Sequence, residues 1–139
     1  MSQFKQNFVW GTAASSYQIE GGFQDEGRGD SVWDMVCRQP GYVQDGSSGM
    51  QACDHFNRFQ EDVDLMASLN VKAYRLSVSW TRIFPAGTGK LNQQGLDFYD
   101  KLINSLLEVG IDPWVTLFHW DYPTALYNKG GWLQRDSAD

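Results

Sequence analysis

The chain has 139 residues, of which 42% are hydrophobic and 20% charged, and its formal net charge is −6. This composition is ordinary for one globular unit, and the acidic balance with dispersed Lys and Arg argues against nucleic acid as a partner. The aromatic content of 14%, with six Trp, exceeds what a core of this size needs, which mildly favours a carbohydrate or another ring-shaped ligand.

The N-terminus and the cysteines bear on the compartment. Residues 1–7 lack the charged and then apolar pattern of a secretory signal, and no segment reaches the length of a membrane span. We therefore expect a cytoplasmic protein that does not enter membranes, although a mature chain without its signal would look the same. Cys37 and Cys53 lack metal-binding spacing, so we expect two buried free thiols and predict no metal and no cofactor.

The first apolar run, at residues 8–14, is predicted to be a strand. Its small residues Gly11, Ala13 and Ala14 suit a strand against which other groups pack closely. Polar residues follow it, among them Gln18. A buried Gln18 must satisfy its amide, so it either hydrogen-bonds neighbouring backbone or binds the hydroxyls of a ligand.

Residues 21–53 form a long Gly-rich stretch with little periodicity. One or two helical turns are expected at 31–36, and Trp33 argues for a packed loop rather than a linker. Arg28 and Asp30 are expected to be solvated charges. Loops of this length are usually functional or disordered, and no domain boundary is placed here.

A helix is predicted over residues 54–69, because its apolar residues recur at spacings of three and four. These residues are Phe56, Phe59, Val63, Met66 and Leu69. Asp54 is expected to cap the start, and Asn70 to take the left-handed position at the end. His55 is interpreted as a packing or capping residue rather than a ligand.

The second strand is predicted over residues 73–78, with Tyr74, Leu76 and Val78 facing the helices. Arg75 then points to the other face of the sheet, where an unpaired guanidinium would be costly. A carboxylate partner is implied, but no strand-borne carboxylate is an obvious candidate. Residues 81–89 are predicted to be a loop by their turn chemistry.

A second helix is predicted over residues 92–109, with Asn92 as its cap and Gly110 just past its end. Its expected inner face consists of Leu96, Tyr99, Ile103, Leu106 and Leu107. A short helix is also expected at residues 124–128.

The third strand is predicted at residues 115–119, bounded by Asp112-Pro113 and Tyr122-Pro123. Alternation would place Val115, Leu117 and His119 on one face. The pair His119-Trp120 at its tip is typical of a site built at strand ends, but His119 could equally cap the strand.

The element order alternates strands and helices, which predicts a parallel sheet in the α/β class. A closed (β/α)8 TIM barrel takes about 250 residues. We therefore predict that residues 1–139 are the N-terminal segment of a single TIM-barrel catalytic domain, with the barrel incomplete in this chain.

The sequence resembles the retaining β-glycosidases of glycoside hydrolase family 1 over nearly its whole length. The matching segments are residues 8–11, 17–21, 31–34, 52–55, 61–63, 74–80, 82–85, 92–99 and 119–121. The resemblance implies that Gln18 and His119 hydrogen-bond the hydroxyls of the sugar in the cleavage subsite and that Trp120 flanks it. It also implies that Arg75 orients and stabilises the nucleophilic carboxylate.

The implied activity is hydrolysis of terminal β-linked glucose or galactose from β-glycosides. Two glutamates carry this reaction, and the family's Asn-Glu-Pro and Glu-Asn-Gly motifs are absent from the 139 residues. The segment alone is therefore expected to be inactive, with a saccharide and the remainder of the barrel as its partners. Glu20 and Asp121 are the nearest acids, but the family pattern gives neither a catalytic role.

Alternatives remain open. The parent could be a phospho-β-glycosidase, or the chain could be a non-catalytic sugar-binding fragment or self-associate to cover its open sheet. Tyr122 replaces a common Leu of the family, which leaves the leaving-group preference open. Leu76 replaces a common Phe, a packing change of the kind that cores tolerate.

Overall fold

Three parallel strands form one sheet in the computed structural model, which describes residues 4–23 and 25–137. The strands are β1 (Gly11–Ala13), β2 (Ala73–Ser77) and β3 (Asp112–Thr116), with β2 in the centre. Both neighbouring pairs run parallel. The predicted parallel sheet of an α/β protein is therefore confirmed.

Within the described ranges, six α-helices lie between and after the strands. They are α1 (Ser16–Ile19), α2 (Val32–Cys37), α3 (His55–Ser68), α4 (Trp80–Ile83), α5 (Gln93–Glu108) and α6 (Thr124–Tyr127), with short 3-10 turns at Asp25–Gly27, Gly131–Leu133 and Arg135–Ser137. The helices predicted at 54–69, 92–109, 31–36 and 124–128 are confirmed. The expected loop at 81–89 is wrong at its start, because α4 turns there.

The first strand is shorter than the apolar run that predicts it. Its pairing with β2 starts only where Gly11 lies beside Ala73. A Cβ atom on Gly11 would lie 2.7 Å from the Ala73 carbonyl oxygen, so the close approach expected at the small residues of this strand is confirmed.

The third strand begins and ends earlier than predicted. Pro113 lies inside β3 rather than before it, paired with Tyr74. Because the Asp112 N–H already bonds to the carbonyl oxygen of Lys72, just before β2, the alternation of the ladder turns the Pro113 nitrogen away from β2, where a missing donor is tolerated. The face predicted for Leu117 and His119 is wrong, since both lie beyond the strand.

The hydrophobic core lies between the sheet and the two long helices α3 and α5. Its members are Phe56, Val63, Met66, Tyr74, Leu76, Phe98, Tyr99, Leu102, Leu106 and Ile111. Leu107 is 54% exposed and Leu69 64%, so their expected inward positions are wrong. Phe98 and Leu102 fill the inner face of α5 instead, and the Phe98 ring packs 4.7 Å from that of Phe56.

Helix ends follow the sequence signals only in part. Asn70 has a φ of +56° and Gly110 a φ of +75°, which confirms the left-handed ends of both long helices. Asp54 precedes α3, but it is itself left-handed and its side chain makes no capping hydrogen bond. Its carboxylate accepts a hydrogen bond from the Asn57 amide at 2.7 Å instead. Asn92 precedes α5 without capping it, and its amide donates to the Arg82 carbonyl oxygen at 2.9 Å.

The charges of the long loop are paired, and one of the two pairs is buried. Arg28 is buried against Asp34 at 2.9 Å, and Asp30 accepts two hydrogen bonds of 2.7 Å from Arg38. The prediction of a solvated charge is therefore wrong for Arg28, whose carboxylate partner also caps the start of α2. It is confirmed for Asp30, whose side chain stays exposed although it is paired.

Both cysteines are free, as expected, but neither is buried: Cys37 is half-buried and Cys53 exposed. In the part of the chain that the structure describes, no helix is long and apolar enough to cross a membrane.

Apolar side chains lie open at the β3 edge, including Trp114, Val115 and Leu117. Since parallel sheets are covered on both faces, this edge has the character of an incomplete barrel.

Candidate functional site

The sheet brings Arg75 and His119 together. Arg75 lies on the face of β2 opposite to Tyr74 and Leu76, and its Nη1 is 3.2 Å from His119 Nδ1. Among the described residues, no carboxylate forms an ion pair with Arg75. The guanidinium is thus exposed, with one neutral contact and no anionic partner from this part of the chain.

The contact defines the tautomer of His119. A guanidinium has only donors, so Nδ1 must accept and the ring proton must sit on Nε2. His119 is half-buried, and its Nε2–H remains available as a donor. This arrangement departs from the strand-capping interpretation, because the partner of the imidazole is a side chain and not a carbonyl group.

Trp120 holds an unusual backbone conformation beside His119. Its φ is +73°, a left-handed value that costs a bulky residue about 1–3 kcal/mol. The indole is 69% exposed, and its ring centroid lies 5.5 Å from that of His119. The strain presents a flat apolar surface next to the Arg75–His119 contact.

Gln18 lies on α1, the single turn that directly follows β1. It is exposed, so the expectation of a buried amide is wrong. Within residues 4–23 and 25–137 its side chain hydrogen-bonds neither to backbone nor to the other predicted site residues, which leaves the amide free to contact a ligand.

A buried chain of hydroxyls links the sheet to the segment after β3. The Ser77 hydroxyl accepts a hydrogen bond from the Ser16 backbone N–H at 2.8 Å, and the Ser16 hydroxyl donates to Asp121 Oδ2 at 3.0 Å. All three residues are buried. Burial raises the pKa of Asp121, and the hydrogen bond from Ser16 offsets part of that rise.

Sequence reasoning missed Ser16 and Ser77. The signal for Ser77 was present, because it alternates with Arg75 and therefore shares its face of β2. Nothing in the sequence predicts that Ser16 meets Asp121.

Glu20 is occupied by internal contacts. Its carboxylate accepts a hydrogen bond from Arg82 Nε at 3.1 Å and another from the Tyr99 hydroxyl at 2.7 Å. The Arg82 guanidinium also lies 4.0 Å from the centroid of the Phe56 ring. Burial first, and then Glu20, raises the pKa of Tyr99 well above its usual range. This cluster supports the fold behind the site rather than facing it.

Aromatic rings form a second group beside the site. Tyr122 is buried, with its ring centroid 4.7 Å from Trp132 and 5.6 Å from Trp80. Its hydroxyl donates to Ser137 at 3.1 Å. Tyr122 therefore packs inside this group of rings. An influence of Tyr122 on the choice of leaving group stays a prediction.

His55 packs in the core, which confirms its interpretation as a packing residue. Its Nδ1 lies 2.6 Å from the Asp62 carboxylate, and its ring is nearly perpendicular to that of Phe98. Over the described ranges, no cluster of three His, Cys, Asp or Glu side chains could hold a metal ion.

Comparison with known proteins gives a consistent result. The family model described as glycosyl hydrolase family 1 matches residues 1–139. β-Glucosidase A of Acetivibrio thermocellus is 53% identical over 136 residues, which are 98% of this chain and 30% of that protein. An aryl-phospho-β-D-glucosidase of Bacillus subtilis is 50% identical over 134 residues, covering 96% of this chain and 28% of its own length.

A solved structure is also similar to this chain. The β-glucosidase from Thermotoga maritima in complex with castanospermine superposes with a TM-score of 0.96 at 52% identity, covering 100% of this chain and 32% of that one. The chain therefore spans less than a third of the length of these relatives.

Proposed function

Because the chain belongs to glycosyl hydrolase family 1 and carries the first three strands of its TIM barrel, we propose that it forms part of a β-glucosidase. The protein would release terminal β-linked glucose or galactose by a retaining reaction. The observation that carries this proposal is the exposed guanidinium of Arg75, held against His119 and without a carboxylate from the described residues.

The reaction proceeds in two displacements. A carboxylate attacks the anomeric carbon, the bond to the leaving oxygen breaks, and a carboxylic acid gives that oxygen its proton. Water then replaces the enzyme carboxylate at the same carbon and returns a proton to the first acid. We propose that both glutamates come from the barrel outside residues 1–139.

Arg75 is suited to supporting a carboxylate nucleophile. A fixed positive charge within hydrogen-bonding distance stabilises an ionised carboxylate and fixes its orientation. The contact with His119 limits the freedom of the guanidinium before any carboxylate approaches.

The sugar would contact three other side chains. His119 offers its Nε2–H, and Gln18 offers both a donor and an acceptor, which together can bind adjacent hydroxyls. The exposed indole of Trp120 suits the apolar face or edge of a pyranose ring. These assignments rest on the family resemblance and on the accessibility of each group.

A phospho-β-glycosidase is the second candidate, favoured by the 50% identity to the Bacillus subtilis aryl-phospho-β-D-glucosidase. The groups that would recognise a phosphate lie outside the described contacts. A 6-phosphate substrate would separate the two candidates in a barrel completed by the protein's own remaining strands, because those strands would carry the groups that accept or reject the phosphate.

The test needs the rest of the barrel. We define the completed barrel as residues 1–139 joined to the part of the Thermotoga maritima β-glucosidase that follows its matching region. The completed barrel should release nitrophenol from 4-nitrophenyl β-D-glucoside, with β-glucose as the first product seen by NMR. The isolated chain should release none.

Two results would overturn the proposal. One is turnover by the isolated chain, because the reaction would then not need the missing glutamates. The other is a folded completed barrel that hydrolyses neither the glucoside nor its 6-phosphate, which would favour a sugar-binding role without catalysis.

A further inference from the structure

We propose that Asp121 is a positioning residue, which holds Trp120 and His119 in their binding arrangement through its hydrogen bond with Ser16. The inference rests on the proposed function, because it concerns residues assigned there to sugar binding. It adds Asp121, Ser16 and Ser77 to the groups on which that binding depends.

The conformation of Trp120 requires restraint. A left-handed backbone is strained at a bulky residue and persists only where the surroundings impose it. The indole does not supply that restraint, since it is 69% exposed. The restraint must therefore come from the neighbours of Trp120 in the chain.

Both neighbours are held by the same face of β2. On one side, His119 contacts Arg75 at 3.2 Å. On the other side, Asp121 accepts the Ser16 hydroxyl at 3.0 Å, and Ser16 is in turn bound to Ser77 at 2.8 Å through its backbone N–H.

Arg75 and Ser77 are two positions apart on one strand, so the two attachments sit a fixed distance apart. Trp120 lies between the two attached residues, His119 and Asp121. Loss of either attachment should let the peptide relax toward a negative φ and rotate the indole away.

The Asp121 attachment is the more rigid of the two. Asp121 has no exposed surface, and Ser16 and Ser77 are nearly as buried. The contact between Arg75 and His119 lies in the open. Ser16 is also the first residue of α1, which carries Gln18. The hydrogen bond between Ser16 and Asp121 therefore connects the two segments that would contact the sugar.

The test measures castanospermine binding to the completed barrel by calorimetry, together with KM and kcat. Ser16→Ala should weaken binding about 10-fold, or about 1.4 kcal/mol, and raise KM more than it lowers kcat. Thr81→Val is the matched control, because it also removes a buried hydroxyl contact, to Ser79, but none to residues 119–121. It should leave the Kd within about twofold.

A double-mutant cycle separates positioning from general loss of structure. If Ser16 acts through Trp120 together with His119, Ser16→Ala should weaken binding less in a Trp120→Ala background than in the wild-type background. An equal effect of Ser16→Ala in both backgrounds would overturn the proposal. So would an unchanged Kd for Ser16→Ala in the wild-type background.

Asp121→Asn provides rescue, because its amide oxygen can still accept the Ser16 hydroxyl, whereas Asp121→Ala cannot. Binding should be kept by the first variant and lost by the second. A crystal structure of the Ser16→Ala or Asp121→Ala barrel is the readout that does not depend on activity. A φ for Trp120 that stays near +73° would contradict the inference even if the completed barrel proved inactive, so failure of the proposed function remains distinguishable.

Discussion

Arg75 Nη1 lies 3.2 Å from His119 Nδ1, so a side chain from the middle of the central strand contacts one that follows the neighbouring strand. The guanidinium thereby fixes the imidazole with its proton on Nε2 and stays open on its remaining sides. A single contact therefore holds the two groups that we propose to act on the nucleophile and on a sugar hydroxyl, the Arg75 cation and the His119 Nε2–H.

Arg75→Met should lower kcat of the completed barrel by about 100-fold, or about 2.7 kcal/mol. The carboxylate that it is proposed to orient would lose its positive partner, and His119 would lose its fixed tautomer. Steady-state kinetics on the nitrophenyl glucoside provide the measurement. Arg58→Met, on the exposed face of α3, is the control and should leave kcat unchanged, whereas a similar kcat for both variants would exclude this role for Arg75.

Tyr99→Phe should destabilise the completed barrel by about 1–3 kcal/mol. The lost hydroxyl donates to Glu20 at 2.7 Å and accepts the Ser79 N–H at 2.6 Å, and both partners would stay buried. Tyr74→Phe is the matched control, since among the described residues no hydrogen bond involves the Tyr74 hydroxyl. Urea denaturation should separate the variants, and equal losses would show that the Tyr99 hydrogen bonds add nothing to stability.

Arg82→Met should cost about 3–5 kcal/mol, because it leaves the Glu20 carboxylate buried with its charge unpaired. Arg58→Met removes one partner of the exposed pair with Glu61 and should leave stability almost unchanged, because solvent screens that pair. Thermal unfolding and urea titration compare the two. Similar costs would contradict the stabilising role assigned to the buried Arg82–Glu20 pair.

The pH dependence of stability should carry a contribution from Asp121. Burial raises the pKa of this carboxyl in the folded protein, while the unfolded value is about 4. Between these values the folded state holds a proton that the unfolded state has lost, so stability falls as pH rises through that window. Asp121→Asn removes the effect and should gain stability relative to the wild type as the pH rises from about 4 through the raised pKa of the folded protein.

Asp30→Asn serves as the control, because it should change the pH dependence of stability in the opposite direction. The hydrogen bonds from Arg38 lower the pKa of Asp30, so its contribution is present above the unfolded pKa and is lost as pH falls. This variant should lose stability relative to the wild type as pH rises. Urea titrations across the window measure both differences, and a pH-independent difference for Asp121→Asn would contradict the assignment.

The long helices could be predicted because apolar spacing reports burial directly. Strand limits could not, since they depend on the partner strand: β1 pairs only from Gly11, and β3 admits Pro113 because its nitrogen faces away from β2. Leu107 fits the helical pattern but lies on the open side, whereas Phe98 faces α3.

The site residues were predicted from the resemblance, and the topology explains why Arg75 and His119 meet. The buried polar contacts escaped prediction. Arg82 sits in a segment rich in turn residues, and its partner Glu20 is 62 positions away. Ser16 and Asp121 are 105 positions apart. Neither hydrophobic periodicity nor spacing encodes such pairs.

The most direct test of the sugar-binding site is the effect of His119→Ala and Gln18→Ala on castanospermine binding to the completed barrel. Each variant should weaken binding by about 1–3 kcal/mol, the cost of an unmade hydrogen bond in a closed site. Gln39→Ala, an exposed residue just past α2, should leave the Kd unchanged. Unaltered binding by both His119→Ala and Gln18→Ala would contradict the account, because the sugar would then be held by other residues.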